Sequence, residues 1–84
     1  MGYDFTLSSD AARFLLACPP QVRRYALAAL ETLAHDPFQP ADFQEAGLSG
    51  RRYEVKLAGP LAITFWVDHA VKEVRIIKCE RADN

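Results

Sequence analysis

The sequence predicts an α+β fold in which a helical hairpin covers one face of a mainly antiparallel, four-stranded sheet. Apolar residues follow a strand period and then a helix period in residues 1–35, and they return to a period of two from residue 51 onward. Half of the 84 residues are apolar, and a chain of this length can bury one core but not two. We therefore expect a single domain spanning residues 1–84.

The first half of the chain contains one predicted strand and two predicted helices. Residues 3–7 alternate between apolar and polar side chains, which is typical of a half-buried strand. Ser8 can cap a short helix, and the Pro19-Pro20 pair ends it because proline lacks the N–H that continues the hydrogen-bond ladder. The same pair suits the start of a second helix over residues 20–35. Residues 38–50 show no clear period and predict a loop.

The second half predicts a three-stranded meander. Residues 51–57 and 61–67 both alternate, and the Ala58-Gly59-Pro60 sequence between them predicts a tight turn, so these two strands form a hairpin. Residues 73–80 are apolar enough for a strand near the centre of the sheet. With two helices on one face, the other face of the sheet is expected to be partly open. The first strand of the meander carries, on its polar side, Arg52, Glu54 and Lys56.

Charge is divided unequally between the two halves. Residues 1–50 contain three basic and six acidic residues, which gives a charge of -3. Residues 51–84 contain seven basic and five acidic residues, which gives +2, so the two charges add to the formal net charge of -1. The seven bases are Arg51, Arg52, Lys56, Lys72, Arg75, Lys78 and Arg81. If the first and last strands of the meander are neighbours, these bases form a patch that could hold a polyanion. The alternative is a solvated face that only keeps the protein soluble.

Two single residues have open interpretations. Trp66 lies opposite the apolar side of its strand, where it could stack on an unpaired base, contact a partner protein, fold over arginine side chains, or be buried under a helix. His69 lies in a predicted turn, where a solvated histidine is the simplest interpretation and a proton-transfer group is the alternative.

The sequence predicts no metal, cofactor or membrane segment. Cys18 and Cys79 are 61 positions apart without a CxxC motif, and His35 and His69 stand alone, so neither a zinc site nor a disulfide framework is indicated. The longest apolar stretch is about six residues, far below the roughly 20 that span a bilayer. We therefore expect a cytoplasmic protein.

The polar side of the meander is compatible with metal-independent RNA cleavage. Attack by a 2′-hydroxyl needs a base for that hydroxyl, cations near the phosphate, and an acid for the leaving oxygen. The cations could be Lys56, Arg52 and Arg81, and Glu54 or a lysine could be the base.

Seven short motifs follow one another in a fixed order between residues 3 and 81. They are SSDAARFL (8–15), VRR (22–24), LAHDP (33–37), LSG (48–50), YEVKL (53–57), ITFWVD (63–68) and VRIIKCER (74–81). In order and spacing they resemble the RelE/ParE superfamily of toxins from bacterial type II toxin–antitoxin modules, which includes plasmid-stabilisation toxins. The resemblance implies the fold predicted above and a cognate antitoxin as partner.

For the RelE-like branch, the resemblance implies ribosome-dependent mRNA cleavage. The lysine pair of that branch corresponds to Glu54 and Lys56, its third-strand arginine to Ala62, and its last-strand arginine to Arg81. Its C-terminal tyrosine has no counterpart, since this sequence ends at Asn84. We therefore expect a partial catalytic set of Lys56, Arg81 and Glu54, with an RNA-binding set of Arg51, Arg52, Trp66, Arg75 and Lys78.

Other branches imply other functions. The YoeB-like branch uses a loop glutamate and a terminal His-Tyr pair; the loop here holds Asp42 and Glu45, but the pair is missing. ParE-like relatives lack the ribonuclease residues and bind DNA gyrase, and a third class keeps only antitoxin or partner binding. An apolar sheet edge or helix face left bare without the antitoxin could also support a homodimer.

Overall fold

The computed structural model describes residues 2–47 and 50–82. Within these residues the chain forms two helices and five strands, in the order β1 (Asp4–Leu7), α1 (Ser9–Ala17), α2 (Pro20–His35), β2 (Phe43–Ala46), β3 (Arg52–Ala58), β4 (Leu61–Asp68) and β5 (Glu73–Arg81). The α+β class, both helices and the meander of β3, β4 and β5 are confirmed. The predicted number of four strands is wrong, because β2 adds a fifth. Of the LSG motif, Leu48 and Ser49 lie outside the described residues.

The five strands form one sheet in the order β1-β5-β4-β3-β2. β1 runs parallel to β5, and the other neighbouring pairs are antiparallel, so the sheet is mainly antiparallel as predicted. β4 lies between β3 and β5. The two strands that carry most of the predicted basic residues are therefore not neighbours, and their backbones are about 10 Å apart across β4.

β2 lies within residues 38–50, which the sequence predicts as a loop. It pairs with β3 from Phe43 opposite Val55 to Ala46 opposite Arg52. The Asp42 carboxylate extends this pairing along β3. It accepts a hydrogen bond from the backbone N–H of Leu57 at 2.8 Å. All four β2 residues are exposed. The strand is thus held by its backbone at the edge of the sheet, and its side chains need no apolar alternation.

Side-chain hydrogen bonds satisfy the backbone groups at both ends of α1. The Ser8 hydroxyl accepts the N–H of Ala11 at 3.1 Å, as the sequence predicts for a cap. The same hydroxyl donates to the carbonyl of Ile77 and so ties the helix to β5. At the other end, the Arg23 guanidinium of α2 donates to the carbonyls of Leu15 at 2.9 Å, Leu16 at 3.2 Å and Cys18 at 3.0 Å.

The core lies between the two helices and one face of the sheet. Its helix residues include Ala11 and Leu15 of α1 and Ala26, Leu30, Leu33 and Ala34 of α2. Its sheet residues are Leu61, Ile63, Phe65, Val74, Ile76 and Cys79. Neither helix of the described residues is long and apolar enough to cross a membrane.

A register shift between β4 and β5 lets this core form. Thr64 pairs with Lys78, whereas the next residue, Phe65, pairs with Ile76, so Ile77 has no direct partner on β4. Without this bulge, residues 76 and 79 would point to opposite faces of the sheet. With it, both Ile76 and Cys79 face the helices.

The buried thiol of Cys79 is expected to make the fold less stable at alkaline pH. Burial, and secondly the nearby Cys18 thiol, raise the pKa of Cys79 from 9.0 to about 11. The folded state therefore keeps this proton at a pH where the unfolded chain loses it, so the stabilisation is complete below about pH 9 and is lost as the pH rises to about 11. We expect the free energy of unfolding to fall across this window by on the order of 3 kcal/mol more in the wild type than in Cys79→Val.

Urea unfolding at several pH values from 7 to 11 measures this difference, because the variant corrects for other groups that titrate in the same range. Cys18→Ala is the matched control, since it retains the buried Cys79 thiol and removes only the smaller of the two causes of the raised pKa. Parallel pH curves for the wild type and Cys79→Val would show that burial of this thiol has no role.

Candidate functional site

A polar groove of about 550 Å³ opens between the segment after α2, the start of β3 and the end of β4. Its polar lining consists of Gln39, Gln44, Arg51, Arg52, Glu54 and His69. Phe38, Phe65, Trp66 and Val67 are among its apolar lining residues. α2 ends at His35, so residues 37–41, rather than a helix, form the wall that faces this end of the sheet.

Pairing across the sheet explains why Glu54 and Arg52 line the groove. Glu54 lies directly opposite Phe65, and paired residues share a face, so Glu54 is on the helix side of the sheet. Arg52 lies two residues before it on the same side. Gln44 of β2 connects the two, since its amide donates to Glu54 Oε1 at 3.1 Å and its carbonyl oxygen accepts from Arg52 Nη1 at 3.4 Å. A carboxylate and a guanidinium are therefore held side by side.

His69 follows β4 and belongs to an aromatic cluster. Its ring is stacked on Phe38, with centroids 5.3 Å apart and planes inclined by 12°. The Tyr3 hydroxyl and His69 Nδ1 are hydrogen-bonded at 3.0 Å. His69 is exposed and lies in a turn, as the sequence predicts, but the sequence does not predict these contacts. Residues 3, 38 and 69 are far apart in the chain, and no local pattern indicates that they meet.

Trp66 lies against arginine side chains, which is one of the four interpretations left open by the sequence. The Arg51 guanidinium is 3.8 Å from the centroid of the indole ring, and the Arg75 guanidinium is 5.5 Å from it. Cation–π contacts of this kind stabilise both partners. One face of Trp66 is therefore covered by Arg51, which reduces the area open for stacking on a base.

Arg75 and Lys78 have their charges compensated by carboxylates. Arg75 forms ion pairs with Asp68 at 3.4 Å and Glu73 at 3.1 Å. Lys78 forms ion pairs at 3.8 Å and 3.4 Å with Glu45 and Glu80. Lys78 pairs with Thr64, on the face of the sheet opposite the helices, and so does not share a face with Glu54. Lys78 therefore does not join Arg52 and Glu54 on their face of the sheet, and Arg75, although it shares Trp66 with Arg51, has its charge compensated by carboxylates.

Lys56 and Arg81 both lie on the helix side of the sheet but not together. Lys56 is opposite Ile63 and lines a smaller cavity of about 150 Å³ beneath α2. Its ammonium group donates to the carbonyl of Pro40 at 3.2 Å, so it holds one wall of the groove. Arg81 is opposite Leu61 at the far end of β5. Catalytic roles for these two residues stay predictions.

The groove thus combines groups for acid–base chemistry with groups that bind anions. Four of the eight predicted site residues line it: Arg51, Arg52, Glu54 and Trp66. His69 adds an imidazole, whose ring nitrogens can donate or accept a hydrogen bond. Within residues 2–47 and 50–82, no three His, Cys, Asp or Glu side chains are grouped so that they could hold a metal ion.

No protein-family model matches the sequence, and no curated protein matches it. Solved structures do match. An archaeal RelE in the RelE–RelB complex of Pyrococcus horikoshii has a TM-score of 0.76 at 17% identity, over 100% of this chain and 99% of the other. A chain of the toxin–antitoxin complex RelBE2 of Mycobacterium tuberculosis has a TM-score of 0.77 at 18% identity, over 96% of this chain and 99% of the other. A chain of the E. coli RelBE toxin–antitoxin complex has a TM-score of 0.65 at 13% identity, over 98% of this chain and 99% of the other. The predicted RelE-like architecture is confirmed: along its whole length, this chain has the fold of the RelE toxins.

Proposed function

We propose that this protein is the toxin of a type II toxin–antitoxin system and that its polar groove binds and cleaves mRNA on the ribosome. The observation that carries the proposal is the composition of the groove, whose lining includes Arg51, Arg52, Glu54 and His69. Metal-independent cleavage of RNA needs these kinds of group. The fold shared with chains of RelE toxin–antitoxin complexes supports the toxin role.

The reaction assigns one role to each of the four groups. Glu54 accepts the proton of a ribose 2′-hydroxyl, whose oxygen then attacks the adjacent phosphorus. The bond from phosphorus to the 2′-oxygen forms while the bond to the 5′-oxygen breaks, and His69 donates a proton to that leaving oxygen. Arg51 and Arg52 stabilise the negative charge that develops on the phosphate. The products are a 2′,3′-cyclic phosphate and a 5′-hydroxyl.

Lys56 and Arg81 are proposed to assist from outside the groove. Lys56 holds the wall at residues 37–41 through its hydrogen bond to Pro40, and it is the second candidate for the base. Arg81 is a candidate RNA contact at the end of β5.

A cognate antitoxin is the proposed protein partner. The solved structures with this fold include toxins in complex with RelB-type antitoxins. An acidic or apolar antitoxin segment that covers the groove would neutralise Arg51 and Arg52 and block the site. Cytoplasmic action follows from the proposed target, because translation takes place there. A homodimer through a bare sheet edge remains a prediction.

The test is cleavage of a defined mRNA in a reconstituted bacterial translation reaction, mapped by primer extension. We expect cuts within the codon in the ribosomal A site, and little or no cleavage of the same RNA without ribosomes. Induced expression of the protein in a bacterial host should arrest growth over the same concentration range. An intact mRNA on stalled ribosomes at micromolar protein would contradict the proposal.

A second candidate function is non-enzymatic inhibition of DNA gyrase, as in ParE-like toxins. The ion pairs of Arg75 and Lys78 favour it, because a face whose bases are compensated by four carboxylates suits a protein partner better than a polyanion. A gyrase supercoiling assay decides between the two: inhibition together with intact mRNA supports this candidate. Harmless expression, with neither activity, would leave a non-toxic binding module.

A further inference from the structure

We infer that Phe38 is a stacking platform for an unpaired nucleobase of the RNA at the mouth of the polar groove. The inference rests on the proposed function and adds a residue that positions the substrate. Phe38 is 71% exposed, although it is a large apolar side chain in a short segment between two prolines. Burial in the core does not explain its position, whereas a ligand that covers the ring does.

The ring is held in place before any ligand arrives. One side of Phe38 is stacked on His69 in a nearly parallel arrangement, with the ring planes 12° apart. Tyr3 meets Phe38 edge-on, with centroids 6.0 Å apart and an angle of 78°. The Tyr3 hydroxyl also holds the imidazole through Nδ1. A third ring added to the exposed side of Phe38 would continue an existing stack.

The backbone that carries Phe38 is restrained as well. Pro37 and Pro40 fix their own φ angles on either side of it. The Gln39 side-chain amide donates to the carbonyl of Asp36 at 3.0 Å, and Lys56 donates to the carbonyl of Pro40 at 3.2 Å. Preorganisation of this kind lowers the entropy cost of binding.

The surroundings of Phe38 favour a nucleotide as the occupant. A nucleotide presents a flat ring and an anionic phosphate, and the groove beside Phe38 is lined by two cationic residues, Arg51 and Arg52. The other large aromatic rings that line the groove are less available: Phe65 is 2% exposed, and Arg51 covers one face of Trp66. A base within a duplex is already stacked on its neighbours, so the platform selects a single-stranded segment.

The experiment measures single-turnover cleavage on programmed ribosomes, at protein concentrations below saturation. Phe38→Ala is expected to lower the apparent kcat/KM by about 5- to 150-fold, the range that stacking on one base represents. Phe38→Tyr keeps a flat ring and should stay within about threefold. Phe43→Ala is the matched control, because Phe43 is another exposed phenylalanine, at 57%, on β2. It should cleave like the wild type.

A second arm separates stacking from a structural role. The A-site codon is made with an abasic nucleotide at each of its three positions in turn. One of these abasic substitutions should slow cleavage by the wild type by about the same factor as Phe38→Ala does. The same substitution should not slow cleavage by the Phe38→Ala protein any further. If the abasic nucleotide and Phe38→Ala instead slow cleavage independently, so that their factors multiply, the stacking platform would be overturned. Equal cleavage by Phe38→Ala and wild type would overturn it while the proposed function stands, whereas no cleavage by the wild type would overturn both.

Discussion

Glu54→Gln is expected to slow mRNA cleavage by a factor of about 10² to 10⁴, which is the range contributed by a positioned general base. Glutamine has the size of glutamate and keeps an oxygen that can accept the hydrogen bond from Gln44. It cannot take the proton of a 2′-hydroxyl at neutral pH. The change therefore removes the proposed chemistry while leaving the link between β2 and β3 in place.

Glu45→Gln is the matched control for this variant. Glu45 lies next to Gln44 on β2, but its carboxylate is on the opposite face of the sheet, 3.8 Å from the ammonium group of Lys78. Its replacement removes the same charge without touching the groove, so cleavage should change by less than about threefold. Both proteins are compared in single-turnover reactions at saturating concentration, after their thermal unfolding has been shown to be alike.

A Glu54→Gln protein that cleaves at the wild-type rate would exclude Glu54 as the base. In that event Lys56→Ala decides the next step. Lys56 is the other base suggested by the sequence, and its ammonium group already reaches the wall of the groove at Pro40. A loss of cleavage in Lys56→Ala, with unchanged folding, would move the chemistry to the neighbouring side chain of the same strand.

The helices could be predicted because their signals are local. α2 begins at Pro20 and ends at His35, as predicted, since proline fits the first turn and a mainly Ala and Leu sequence favours the rest. Ser8 is a cap for the same kind of reason: its hydroxyl accepts an N–H only three residues away. Such features depend on a few neighbouring residues, which a sequence displays directly.

β2 and the bulge at Ile77 could not be predicted in this way. β2 has four exposed residues, so the apolar alternation that indicates a strand is missing. What defines it is pairing with β3 and the contact from Asp42 to Leu57, and both depend on how the chain folds back. The shift at Ile77 likewise follows from the pairing of β5 with β4.

Some residues of the candidate site could likewise be predicted from local sequence patterns, whereas others depend on long-range contacts. Arg52 and Glu54 could be selected from the sequence because alternation along β3 places them on one side. Phe38 and His69 could not, because their contact joins a loop to a turn 31 residues away. Counting bases in residues 51–84 also overstates the positive charge near β5, since Lys78 lies beside Glu45 of the distant acidic half.

Phe65→Ala is expected to lower the free energy of unfolding by about 3–5 kcal/mol. Phe65 is 2% exposed and is the largest fully buried side chain among the described residues. It is central to both pairings of β4, since it lies opposite Glu54 on β3 and Ile76 on β5. Removing the ring leaves a cavity under the helices just where the strand register shifts, and the rigid sheet can close it only in part.

Urea unfolding at neutral pH measures this loss, with Phe43→Ala as the control. Phe43 is 57% exposed, so its truncation should cost less than about 1 kcal/mol. Small domains have a total stability of only about 5–15 kcal/mol, so Phe65→Ala should leave a measurable unfolded fraction at growth temperature. Its cleavage activity should then fall with the folded fraction, and Phe65→Leu, which fills more of the cavity, should recover both. A cost below 1 kcal/mol for Phe65→Ala would mean that the floor of the groove is not part of the packed core.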